Sequence, residues 1–300
     1  MPSNGFLLFL FTLGFLLAPP PIVQFEIRSR LMIAVDGHVH IHPKFKLPEF
    51  FNAAVNNLKS NCSVLNDPEP NQLVLFLTES KGTNVFKELK ESASQKKEPD
   101  AAAFEIIPTQ ESNSLVVNLP EGQKLILIAG RQIVCAENLE VLALGCEEEI
   151  PDGDSIKSVI KKVIDKNAIV SIPWGFGKWM GGRRKIIKGL LESSDKTLLT
   201  FGDNGNRFPI SGTPSQLKIA QNKGFKLLSG SDPLPLSSES QKVGKFGFAF
   251  SGELSESTPF ESLQTALLNP ETVLFPFGKL ENLFSFIKNQ FYMQYHKRFK

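Results

Sequence analysis

The sequence predicts an α/β fold, a distorted TIM-like (β/α)7-8 barrel with an inserted antiparallel β meander and a C-terminal helix. Three observations predict it. From Met32 onward, short apolar runs alternate with helical patterns, the signature of βα units and a mainly parallel sheet. One stretch, at about 101–138, breaks that alternation with successive strand patterns. The first strand ends in a cluster of histidines, and the carboxyl ends of strands are where barrels build their sites.

Taken in order, strand patterns fall at 33–35, 73–77, 141–144, 168–172, 197–201 and 226–228, with helical patterns at 47–58, 84–92, 155–165, 183–191 and 214–222. Asp154 and Thr213 precede helical runs as caps, and Gly224 follows one. The meander reads as strands at 104–107, 114–118 and 124–134, with a turn at Pro120-Glu121-Gly122-Gln123. Segments 94–100 and 237–242 are solvated loops, and no internal repeat is present.

Before this unit, residues 5–18 form an apolar run followed by three prolines. It is short of the ~20 apolar residues a membrane helix needs. It also lacks a basic residue at its start, as a secretory signal would carry. Met32 as the working start is the third reading. The expected organisation is therefore an apolar leader at 1–31, a barrel at 32–275 and a helical extension at 276–300. Leu280, Leu283, Ile287 and Phe291 give that extension one apolar face for packing on the barrel. The expected location is cytoplasmic, or secreted or membrane-anchored if residues 5–18 are retained.

Composition narrows the function. With 33 basic against 31 acidic residues in a chain of 300, there is no broad basic field, so no nucleic-acid partner is expected. Three cysteines without paired-ligand spacing, Cys62, Cys135 and Cys146, exclude a disulfide framework and a cysteine zinc site. Walker, dinucleotide, serine-elbow and His-Glu-x-x-His patterns are absent.

The sharpest local signal is Asp36-Gly37-His38-Val39-His40-Ile41-His42-Pro43, which holds three of the chain's four histidines. In an extended segment residues i and i+2 share a side, so these rings can converge on a divalent cation such as zinc, manganese or iron. After another strand pattern, the loop from Trp174 through Lys178 to Arg183 and Arg184 leads into a helix amino terminus. Helix amino termini favour anions, so Trp174, Lys178 and Arg183 are candidate substrate-binding residues; the alternative is a solvated basic helix face. Asp203 and Arg207 sit in a polar cluster, Gly202-Asp203-Asn204-Gly205-Asn206-Arg207, that closes a further strand and does not fit a calcium loop. Asp203 is a candidate catalytic group there, although Asn204-Gly205 alone can make a turn.

Asp36-Gly-His-Val-His40 resembles the opening strand of the polymerase-and-histidinol-phosphatase type of phosphoesterase, and more loosely the amidohydrolase barrels. Gly145-Cys146-Glu147 resembles that family's Gly-x-Glu, and Gly230-Ser231-Asp232 its late Gly-Ser-Asp. The resemblance implies metal ligation by His38, His40, Glu147 and Asp232. Two family histidines have no counterpart, since Ile172 and Leu234 stand at their places. It therefore implies a reduced metal centre, in which Asp203 or Asp232 is the general base and Lys178, Arg183 and Arg207 hold a small anionic substrate. The function expected is metal-dependent hydrolysis of a phosphate ester or another small anion. The alternative is a degenerate barrel that binds or regulates without turnover. Membrane contact is expected only if the leader is retained.

Overall fold

The computed structural model of the chain describes residues 31–62, 69–95, 103–175, 177–207, 212–280 and 287. The leader at 1–31, apart from Leu31, and the helical extension expected at 276–300, apart from 276–280 and Ile287, fall outside the described residues; 276–278 belong to a strand and not to a helix.

In chain order the elements are β1 (Met32–Val39), α1 (Leu47–Cys62), β2 (Gln72–Leu77), α2 (Val85–Gln95), β3 (Glu105–Pro108), β4 (Ser114–Asn118) and β5 (Lys124–Ile128). Next come β6 (Gly130–Val134), β7 (Glu140–Leu144), α3 (Ile156–Asp165), β8 (Ile169–Pro173), α4 (Gly182–Ser193) and β9 (Leu199–Asp203). The chain continues through α5 (Ser215–Asn222), β10 (Leu227–Ser229), β11 (Phe246–Ser251), α6 (Pro259–Leu268) and β12 (Phe275–Gly278). Ser155, not Asp154, caps α3 by accepting from the Ser158 amide. Among the described residues no helix is long and apolar enough to cross a membrane.

The expected closed barrel is not what forms. The described strands make two mixed sheets, one ordered β12-β11-β1-β2-β5-β4-β3 and the other β10-β9-β8-β7-β6. Two features keep the ring from closing. First, β11 runs antiparallel beside β1 and takes its free ladder edge, while β10 pairs only with β9. Second, β7 runs antiparallel to both of its neighbours, β6 and β8, so the alternation of strand and helix does not give a uniformly parallel sheet. The meander is no simple insertion either, because its last strand, β5, is the parallel neighbour of β2. The run expected at 124–134 breaks at Ala129, and the chain passes there from one sheet into the other.

Side-chain alternation builds three apolar layers. In β1, β2 and β5, Ala34, Leu73, Leu75, Leu125 and Leu127 face a core shared with α1 and α2. Their alternates Ile33, Val35, Val74, Phe76, Ile126 and Ile128 join Leu142, Leu144 and Ile169 of the second sheet, with α6, in a layer between the sheets. The outer face of the second sheet, with Val141, Ala143, Val170, Ile172 and Phe201, packs under α3, α4 and α5. This is the period-2 pattern of a sheet buried on both faces. At about 25 cal/mol per Å² of apolar surface, burial on this scale supplies the dominant stabilisation.

The seam between β1 and β10 is closed by a side chain instead of a ladder. Asp36 is wholly buried, and its carboxylate accepts from the Ser231 amide (2.8 Å), the Ser231 hydroxyl (2.5 Å), the Gly244 amide (2.8 Å) and the His38 amide (3.2 Å). Gly230 lies so close to β1 that a Cβ there would collide with the His38 backbone nitrogen.

Candidate metal centre

The register between β1 and β2 slips between Asp36 and Val39, so that the two residues Gly37 and His38 of β1 stand against one residue of β2. Such a bulge re-aims side chains at a strand end. His38 and His40 thereby turn their Nε2 atoms to within 3.1 Å of each other. The chain after β10 brings up the third group: the Asp232 amide donates to the His38 carbonyl (2.8 Å), and Asp232 Oδ1 lies 3.6 Å from each histidine Nε2. Asp232 holds a left-handed backbone conformation, φ 44°. Its other oxygen, Oδ2, accepts from the side-chain amides of Asn204 and Asn206, each at 2.9 Å.

These donor atoms fit a small cation. Three ligands around zinc at about 2.0–2.1 Å in tetrahedral geometry stand ~3.3–3.4 Å apart, and the separations of 3.1, 3.6 and 3.6 Å bracket that value. His38, His40 and Asp232 are the His/Cys/Asp/Glu group among the described residues whose ligand atoms converge in this way, all within 4.8 Å. Burial, helped by the neighbouring His38, pushes the His40 pKa down to about 3, so its ring is neutral and its lone pair available. Burial pushes Asp232 up, but His38, His40, Lys242 and Lys178 outweigh it and hold the carboxylate well below its usual range. Burial likewise raises Asp36 to about 6 against the pull of its four donors.

Other expected site residues are placed elsewhere. Because β7 is reversed, Glu147 emerges at the end of the sheet where β8 begins, pairs with Lys90 (2.7 Å), and is not in the histidine group. Asp203 and Arg207 are both buried and bind each other through both carboxylate oxygens, with the guanidinium 5.6 Å over the Trp174 ring. The Arg207 guanidinium is thus engaged inside the protein. Arg183 donates to the Gly177 carbonyl (3.0 Å). Lys178 pairs with Glu140, the first residue of the reversed β7, and its charge acts on Asp232. His42, expected to converge with the other two rings, does stack on His40 (centroids 5.7 Å apart), but its Nε2 bonds the Pro233 carbonyl (3.0 Å) and it is not in the ligand group.

Two residues at the centre escape the sequence reading. Gln132 of β6 places its Oε1 3.2 Å from His38 Nε2 and also bonds His40. Its signal is the triplet Gly130-Arg131-Gln132, which has the Gly-x-Glu spacing with an amide in place of the acid. Lys242 acts on Asp232 and bonds Asn206, and nothing in its solvated, serine-rich surroundings marks it.

No protein-family model matches the chain, and no curated protein sequence matches it. Solved structures do. PsfC from Pseudomonas syringae PB-5123 superposes with a TM-score of 0.53 at 10% identity, over 89% of this chain and 98% of that one. The lesion-specific endonuclease PfuEndoQ from Pyrococcus furiosus gives 0.47 at 12% identity, over 81% of this chain and 58% of that one. Endonuclease Q in complex with a 27-mer duplex carrying an abasic lesion gives 0.38 at 11% identity, over 79% and 56%. The chain therefore spans little more than half the length of the endonuclease. The likeness is one of fold alone. The expectation of no nucleic-acid partner finds no support in these comparisons, since two of the structures found are of an endonuclease, one with its duplex substrate. Net charge is a whole-chain sum and does not register a few cations such as Lys178 and Lys242 placed around one site.

Proposed function

We propose that this chain is a metal-dependent hydrolase of a phosphate ester or another small anionic substrate, with His38, His40 and Asp232 holding a divalent zinc, manganese or iron ion. The observation that carries the proposal is the convergence of two imidazole nitrogens and one carboxylate oxygen at ligand spacing. A cation bound there supplies an activated water at neutral pH and a Lewis acid for the scissile group. The protein does the rest. Asn204 and Asn206 fix Asp232 so that one oxygen faces the histidines, the outer support that orients metal ligands. Lys178 and Lys242, whose charges already reach Asp232, provide the positive field for an anionic substrate. Asp203 acts through Arg207 as a positioning residue, because both of its oxygens are bound by that guanidinium.

Elemental analysis of the full chain beside a His38→Ala/His40→Ala variant tests the proposal. Near-stoichiometric metal that disappears in the variant is expected, followed by turnover in a screen of phosphate esters. Folded protein that is metal-free and refuses added cation would overturn it and leave the binding module without chemistry, the reading that Ile172 and Leu234 at the places of family histidines favour.

A further inference from the structure

We infer that Gln132 is a fourth ligand of this centre and that the centre holds one cation, not two. The inference rests on the metal reading above and deepens it. Gln132 Oε1 lies 3.2 Å from His38 Nε2, within the same range as the separations among the other three donors. An amide oxygen from the middle of β6 thus joins two imidazole nitrogens from the end of β1 and a carboxylate oxygen from the segment after β10. All four atoms can offer lone pairs, an arrangement that a cation satisfies and that water or a proton satisfies only in part.

A second cation would need further anionic oxygens, and those of the neighbouring carboxylates among the described residues are engaged, Glu140 with Lys178 and Glu239 with Lys242. Asp232 Oδ2 is taken by Asn204 and Asn206. Both oxygens of Asp36 are enclosed by the backbone and hydroxyl donors of Ser231, Gly244 and His38. Asp203 is bound to Arg207, and Glu147 is at Lys90. A neutral amide at position 132 therefore leaves a donor set with one negative charge, enough for one divalent ion.

Equilibrium dialysis of the full chain against manganese and, separately, zinc, with bound metal counted per chain, tests both halves. The wild type should bind one ion. Gln132→Met, which keeps side-chain volume and removes the oxygen, should weaken binding about 10–100-fold. Gln132→Glu should tighten it at least about tenfold, since a carboxylate replaces a neutral donor. The cobalt-loaded protein should change its visible spectrum in Gln132→Met, a response that a purely structural role would not produce. Unchanged affinity and an unchanged cobalt spectrum in a folded Gln132→Met variant would overturn ligation, and two ions in the wild type would overturn the single-cation assignment. A wild type that binds no ion would overturn the metal reading itself, a separate outcome.

Discussion

Asp36 is buried with four donors around its carboxylate, and replacing it with alanine measures how the β1–β10 seam is held. The substitution removes the acceptor for two short backbone bonds, from Ser231 and Gly244 at 2.8 Å each, and a longer one from His38 at 3.2 Å. It also frees the Ser231 hydroxyl, which can rotate to another partner. Stranding a buried donor costs about 1–3 kcal/mol, so the two short bonds alone set a loss of about 2–6 kcal/mol. The net stability of a domain is only about 5–15 kcal/mol, so Asp36→Ala should fold marginally. Asp36→Asn keeps one acceptor oxygen and should lose about half as much. Urea unfolding followed by circular dichroism reads both values. A loss below about 1 kcal/mol for Asp36→Ala would refute the view that this carboxylate substitutes for a ladder.

Four further outcomes follow from the same geometry. Divalent cation at about 100 times its dissociation constant adds ~2.7 kcal/mol, which should raise the melting temperature by about 5–10 °C; His38→Ala/His40→Ala should show no such rise in differential scanning fluorimetry. Glu79→Ala leaves Arg131, 5% exposed, without its buried partner at 3.2 Å, and should cost about 3–5 kcal/mol by chemical denaturation, part of it recovered in Glu79→Ala/Arg131→Met. Gly230→Ala should lower both stability and metal uptake, because its Cβ pushes the His38 backbone aside; full metal content in that variant would contradict the packing. Burial first, then Glu137, Asp152, Glu140 and Asp154, push the Cys135 thiol up to about 12. The fold therefore favours the protonated thiol. Stability from this group is complete below its ordinary value near 9 and is lost as pH rises through 12, so Cys135→Ala should be the less alkali-sensitive protein in a pH titration of unfolding.

The strands of both sheets were largely legible because apolar residues buried on both faces give unbroken runs, as in Leu73 to Leu77 and Leu199 to Phe201. Strand direction was not. A helix between β7 and β8 reads as a parallel crossover, yet the two strands pair with Leu144 opposite Ile169 and Leu142 opposite Ser171, antiparallel. That reversal carried Glu147 away from the histidines. β11, in Phe246-Gly247-Phe248-Ala249-Phe250, went unread because Gly247 interrupts the run; Gly247 packs so close to the Val35 carbonyl that a Cβ would not fit. The grouping of His38, His40 and Asp232 was legible because two short motifs of chemically distinctive side chains mark them. Gln132 was not, since its triplet Gly130-Arg131-Gln132 carries an amide where the Gly-x-Glu spacing calls for an acid. The Asp203–Arg207 pair lies four residues apart, and only the structure reveals that the two side chains bind each other.

Asp232 occupies a backbone conformation that glycine and asparagine enter most easily, and a non-glycine residue held there carries strain of order 1–3 kcal/mol. Replacement by glycine should relax that strain, and asparagine would sit there with less difficulty than aspartate. Either change would take the negative charge away from His38 and His40. At this position sturdiness and charge pull in opposite directions. A selection for heat resistance alone should drift toward glycine or asparagine at 232 and give up the carboxylate that the proposed cation would need, whereas a selection that requires that carboxylate should keep the aspartate and recover stability at other positions.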